Sequence, residues 1–209
     1  MRITLYLLTV FIILSCQEKT VNIKYYPTNE FSVEEDYLKL DLDTTSLNFK
    51  EITNLISENL YDNRKTIIEI QDGSTLKKII PFSRSGCYFH EKNTLGVKLD
   101  SIRLYNATKY SIQELRPVLK KHYLDIHKNY PYSKFPQVPI IEVEIDTNRT
   151  GKELKSFLIS ITRTFDEIKT EVNDSIELTI FFNWFRQVPP PPKPPLKDMS
   201  KVIEIIEDD

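Results

Sequence analysis

The most reactive side chains in this 209-residue chain are two cysteines and three histidines. Cys87 and His90 have the spacing of half a zinc site, but no second Cys or His pair follows to complete a tetrahedral set. His122 and His127, on one helical segment, are turned about 140° from each other, so a single metal cannot be held by both from one face. Asp146-Thr-Asn-Arg-Thr-Gly151 opens like a calcium loop, yet the position that must supply a bidentate glutamate holds Phe157. No G-x-S-x-G elbow, H-E-x-x-H pair or glycine-rich phosphate loop occurs, and the chain has only 4 glycines. These residues predict no catalytic residue, no metal site and no cofactor, and so a protein that is not an enzyme. Tyr25, Tyr26 and the run Phe181-Phe182-Asn183-Trp184-Phe185 could stack on a sugar or a partner chain. The alternation around the last run favours instead a strand with one core face.

The elements that would position such residues are legible from periodicity. Leu154, Phe157, Leu158, Ile161, Phe165 and Ile168 recur at three- and four-residue spacing and predict a helix over 152–169, opened by a capping box of Thr150 and Glu153. Phe49, Ile52, Leu55, Ile56 and Leu60 predict another, capped by Asn48 and Glu51. A third spans 111–127 behind Ser111 and Glu114. Pro117 within it predicts a kink, or a helix that begins nearer Arg116. Ile141, Val143 and Ile145 alternate with Glu142 and Glu144, and Ile176, Leu178, Ile180 and Phe182 alternate likewise. Each pattern predicts a strand with one wet and one buried face. Thr66–Gln71 and Thr75–Phe82 flank Asp72-Gly73-Ser74, a hairpin signal. Leu95, Val97 and Leu99, then Ile102 and Leu104, suggest extended chain with a bulge or bend between the two groups. A sheet buried on one face wants its helices there, so the expected fold is α/β of the α+β kind. It is a two-layer sandwich with helices packed on one face of a one-sided sheet and a βαβαβ C-terminal half.

The balance of 28 basic against 30 acidic residues leaves a net charge of −2 and excludes an electrostatic case for nucleic acid. At the N-terminus, Arg2 precedes an apolar run from Ile3 to Leu14, too short for the roughly 20 residues that cross a bilayer as a helix, and the pattern predicts an export signal. With Cys16 at the end of that signal, Cys87 is the one thiol left for the folded part, and no intramolecular disulfide is expected.

Ile13-Leu14-Ser15-Cys16 resembles the lipobox of bacterial lipoproteins. That resemblance implies that Cys16 receives a diacylglycerol and becomes the mature N-terminus. The order of elements, with Ser111-Ile-Gln-Glu-Leu-Arg116 opening a helix and Val138-Pro-Ile-Ile-Glu-Val-Glu-Ile-Asp146 leading to the next, resembles the periplasmic domain of the ExbD/TolR family. Members belong to ion-driven machines that energise the outer membrane through TonB or Tol proteins, and their domain is commonly dimeric. The family's acidic residue in an N-terminal membrane helix has no counterpart here, because Ile3–Leu14 contains no acid, and proton conduction is not implied. Val188-Pro-Pro-Pro-Pro-Lys-Pro-Pro195, followed by Val202-Ile-Glu-Ile-Ile-Glu-Asp-Asp209, resembles the proline-rich, acidic linker of TonB proteins in the Bacteroidetes.

The organisation expected is a lipoprotein signal peptide over 1–15, a tether over 16–45 that passes into irregular structure, a single α/β domain over 46–187, and an extended tail over 188–209. In that tail Pro189, Pro190, Pro191, Pro192, Pro194 and Pro195 form a stiff polyproline spacer. Val202, Ile203, Ile205 and Ile206 form a partner-binding strand beyond it. The function expected is a lipid-anchored cell-envelope module that binds or scaffolds without catalysis, on the periplasmic side of the outer membrane. The resemblances imply a TonB/ExbD-type transport system as partner, and a homodimer. The alternative is a ligand-binding or hydrolytic envelope lipoprotein.

Overall fold

The computed structural model describes residues 21–28, 36–82, 93–104, 108–125 and 139–183. The Asp-Gly signal is where the chain turns back on itself. Gly73 takes φ +62°, a left-handed conformation that glycine adopts without strain. It joins β3 (Lys65–Asp72) to β4 (Thr75–Ile79) as an antiparallel pair. Two earlier strands flank this hairpin in parallel, β1 (Asn22–Tyr26) on β4 and β2 (Tyr37–Asp41) on β3, giving a four-stranded sheet of order β1-β4-β3-β2. The irregular chain expected before residue 45 is therefore, at 22–26 and 37–41, two strands. The periodicity missed them because they are edge strands. In β1 only Tyr26 is buried and in β2 only Leu40, too few apolar positions to show a period of two.

The second sheet has five strands in the order β7-β6-β5-β8-β9: β5 (Thr94–Val97), β6 (Ser101–Arg103), β7 (Lys109–Ser111), β8 (Ile140–Val143) and β9 (Thr179–Phe182). β5, β8 and β9 run parallel, giving the expected βαβαβ pattern, but its first strand is β5 and not the chain from Asp100, which forms antiparallel β6. The bend expected after Leu99 is a complete reversal. The Lys98 N–H donates to the Ser101 carbonyl at 2.8 Å, and β6 returns antiparallel along β5.

Helices α1 (Phe49–Tyr61) and α3 (Gly151–Val172) start from one shared junction. Each carries the predicted capping box, with Asn48 accepting from the Glu51 N–H and Thr150 from the Glu153 N–H. The first turn of a helix leaves backbone donors unpaired. Here the Phe49 and Lys50 N–H groups donate to the carbonyls of Arg149 and Thr147, and the Gly151 N–H donates to Leu47. A Cβ on Gly151 would meet the Thr45 Cγ2 at 2.6 Å, so glycine is what lets the two starts touch. A 3₁₀ turn (Ile112–Glu114) precedes α2 (Leu115–Asp125). Pro117 thus falls in the first α-helical turn, where its missing N–H costs no helical bond. Of the two outcomes Pro117 allowed, the later start is the one adopted.

α3 packs against α1, α2 and β3. Its predicted apolar stripe is buried: Leu154, Leu158, Ile161 and Ile168 are fully enclosed, Phe157 and Phe165 nearly so. One hydrophobic cluster joins this stripe to Ile68, Ile70 and Ile79 of the first sheet and to Leu95, Val97, Ile141, Val143 and Ile180 of the second. The architecture is the expected α+β sandwich, with its strands divided between two mixed sheets where one had been anticipated. No helix among the described residues is long and apolar enough to cross a membrane.

Candidate functional site

Glu142 and Glu144 occupy the positions expected to face water, and both are buried, at 1 % and 7 % exposure. Charged groups withdraw from water only when paired, and the pairing is supplied by neighbouring strands. β6 places Arg103 opposite Gly96 of β5, and β8 places Glu142 on the other side of Gly96. The Arg103 guanidinium reaches Glu142 Oε2 at 3.2 Å and also bonds Glu144 Oε1. Asn183, at the end of β9, donates its amide to Glu142 Oε1, and Lys98 Nζ lies 3.4 Å from Glu144 Oε2. All four carboxylate oxygens are engaged. Burial alone would pull the Arg103 guanidinium down, but its bond to Glu144 and the charge of both carboxylates outweigh that and hold it above its usual range.

Gly96 makes this arrangement possible. A Cβ there would lie 2.8 Å from Glu144 Oε1 and 3.0 Å from an Arg103 terminal nitrogen. Gly96→Ala should therefore push the ion pair off the sheet and destabilise the protein by about 1–3 kcal/mol, the usual cost of overpacking. Urea titration of the purified variant checks it; an unchanged midpoint would show that the cluster shifts without loss.

At the start of β5 the same face carries Thr94. Its hydroxyl and both polar atoms of the Asn93 side chain are buried without a hydrogen-bond partner among the described residues. His122 lies alongside, its Nε2 3.2 Å from the Asn93 carbonyl oxygen.

A second ionic cluster fastens α3 to the four-stranded sheet. Lys77 of β4 is 3 % exposed, with Nζ 2.9 Å from Asp72 Oδ2 and 2.9 Å from the Thr162 hydroxyl of α3. Arg163 grips Asp72 from the solvent side through Nε at 3.0 Å and through its terminal nitrogen. Its hydrogen bond, backed by that of Lys77, outweighs burial and holds the Asp72 carboxyl at about 2. One helical turn further, Asp166 accepts from Lys24 at 2.8 Å and from the Tyr26 hydroxyl at 2.9 Å. Burial and the adjacent Asp166 together push the Tyr26 phenol well above its usual range. Near the start of α3, Lys155 pairs with Asp43 and holds that carboxyl below its ordinary value.

Little of the chemistry anticipated from sequence is brought together. Asp146 Oδ1 accepts from the Asn148 N–H at 2.9 Å, so Asp146–Gly151 is a turn into the Thr150 cap, and Phe157 is core. Tyr25 and Tyr26 lie in the first sheet and Phe181 and Phe182 in the second. Tyr26 and Phe182 are core, while Tyr25 lies under the Lys78 ammonium at 5.8 Å. Cys16, Cys87, His90, His127, Trp184, Phe185 and the tail residues Pro189, Pro190, Pro191, Pro192, Pro194, Pro195, Val202, Ile203, Ile205 and Ile206 lie outside the described residues. No group of three or more potential ligands that could hold a metal exists among the described residues. The buried ions escaped the sequence reading because strand alternation assigns every second position to water. The one available signal was Lys77, which stands in phase with Ile79 and so had to share its face. Comparison with family models, curated proteins and solved structures returns no match.

Proposed function

We propose that this chain is a lipid-anchored cell-envelope protein whose folded part is a non-catalytic binding or scaffolding module. The observation that carries the reading is the apolar run Ile3–Leu14 closed by Ser15-Cys16, the pattern of a diacylated cysteine. The charged clusters support the second half of it. Carboxylates whose oxygens are all engaged by cations and amides order a sheet; they are poorly placed to activate water or a nucleophile. The resemblances to the ExbD/TolR periplasmic domain and to the TonB linker make a TonB/ExbD-type system the partner of choice, on the periplasmic face of the outer membrane, with a homodimer as the expected assembly.

The tail from Val188 to Asp209 is the arm assigned to partner binding. Its prolines lack the donor that helices and central strands require and favour polyproline II at about 3.1 Å per residue. Val202, Ile203, Ile205 and Ile206 suit a strand added to an exposed sheet edge. Deleting Lys193–Asp209 should leave the melting temperature unchanged and reduce recovery of a partner cross-linked in cells. Undiminished recovery removes the binding role, and an unfolded protein places the tail in the fold.

A ligand-binding lipoprotein is the second reading, favoured by the buried Asn93 side chain and Thr94 hydroxyl at the start of β5, which have no hydrogen-bond partner among the described residues. A small polar molecule retained by the native protein in mass spectrometry, and lost in Asn93→Leu, would support it. A more stable Asn93→Leu with no bound molecule in either protein sets it aside.

A further inference from the structure

We infer that the start of β1, with Val21 and Ile23, and the adjoining Gly73-Ser74 turn rest against the lipid surface that holds Cys16; the inference deepens the anchor reading and depends on it. Large apolar side chains are rarely left in water without a reason when they cluster. Val21 and Ile23 are 52 % and 47 % exposed; Ile23 lies on edge strand β1 and Val21 stands two positions before it, just ahead of the strand. The face of β1 that carries Ile23 points away from α3, because Lys24 and Tyr26, on the alternate positions, reach Asp166 of α3.

Chain length selects lipid as the occupant. Asn22, the first residue of β1, is six positions beyond Cys16. Whatever its conformation, that stretch spans at most about 22 Å. The turn shares this end of the sheet, since Asn22 pairs with Thr75 and its N–H donates to the Ser74 carbonyl at 3.2 Å. The opposite end, where Asp62 and Asn63 lead into β3, stands a further 23 Å or so away along the eight-residue strand. A diacylated Cys16 thus keeps the Val21–Ser74 end within about 22 Å of the membrane, and seating the exposed Val21 and Ile23 side chains on lipid leaves Asp62 distal. Among the described residues near this end, Lys24 pairs with Asp166, Asp72 with Lys77 and Arg163, and Asp43 with Lys155. Contact there is apolar, so it does not depend on lipid charge.

The test uses the full lipidated protein with Cys87→Ser, carrying a nitroxide at Ser74→Cys or at Asp62→Cys, on vesicles of neutral phosphatidylcholine. Acylation of Cys16 is verified first by mass. The Ser74 label should collide more often with lipid-dissolved oxygen, and less often with a water-soluble nickel chelate, than the Asp62 label. The contrast should persist in high salt and be lost on Ile23→Asp or Val21→Asp. An unacylated Cys16 overturns the anchor and the inference together. An acylated protein in which both labels are equally wet overturns the inference alone, and so does a contrast that salt removes.

Discussion

Replacing Phe165 by alanine should destabilise the protein by about 3–5 kcal/mol, among the larger losses any single substitution here can produce. The ring is 2 % exposed and sits where three elements meet. It packs edge-on to Tyr26 of β1 at 6.3 Å and obliquely to Tyr123 of α2 at 5.6 Å, with the Lys169 ammonium 5.8 Å above it. Neither neighbour can slide into the space. Tyr26 is held by its hydroxyl on Asp166, and Tyr123 by its hydroxyl on the Glu177 carbonyl at 3.0 Å. The cavity therefore stays open, and the cost is that of lost contacts as well as lost burial. A guanidinium titration of both proteins measures it, and a loss under about half a kcal/mol would place the stripe of α3 outside the core.

The second large effect is expected from Asp72→Ala, at about 3–5 kcal/mol, because it leaves the Lys77 ammonium buried with its counter-ion gone. Lys77→Met should cost less. It removes the buried cation itself, and Asp72 keeps Arg163. The two substitutions separate the worth of the pair from the penalty of an orphaned charge. The pH dependence has a definite sign. The Asp72 carboxyl is held at about 2 in the folded protein, down from 3.8, so its contribution is fully present above about pH 4 and is lost as pH falls toward 2. The gap between wild type and Asp72→Ala in chemical denaturation should therefore narrow across that window and nowhere between pH 5 and 8. A gap that is constant down to pH 2 would mean that the carboxylate is unpaired.

Where local signals agree with tertiary demands, the fold was legible. The apolar stripes of α1 and α3, their two capping boxes and the Asp-Gly turn each follow from rules that act within a few residues, and each appears where the residues predicted it. β1 and β2 were not legible, since an edge strand with one buried side chain takes its stability from ladder bonds to β4 and β3, which no local pattern records. The candidate site was hidden by a different cause. Alternation in Ile140–Ile145 correctly separates two faces, but a carboxylate on the second face says nothing about whether solvent or Arg103, some forty residues earlier, will meet it. Asp72 was hidden in the same way, since its long-range pair with Arg163 leaves no period in the sequence, and only Lys77, in phase with Ile79, gave a signal.

Lipidation of Cys16 is the claim on which the location, the orientation and the proposed role all depend, and one substitution reads it directly. Wild-type protein expressed with labelled palmitate should carry the label and remain with membranes after a carbonate wash. Cys16→Ser should lose both the label and the membrane association. A wild-type protein without label, together with a Cys16→Ser variant that still sediments with membranes, would contradict the anchor.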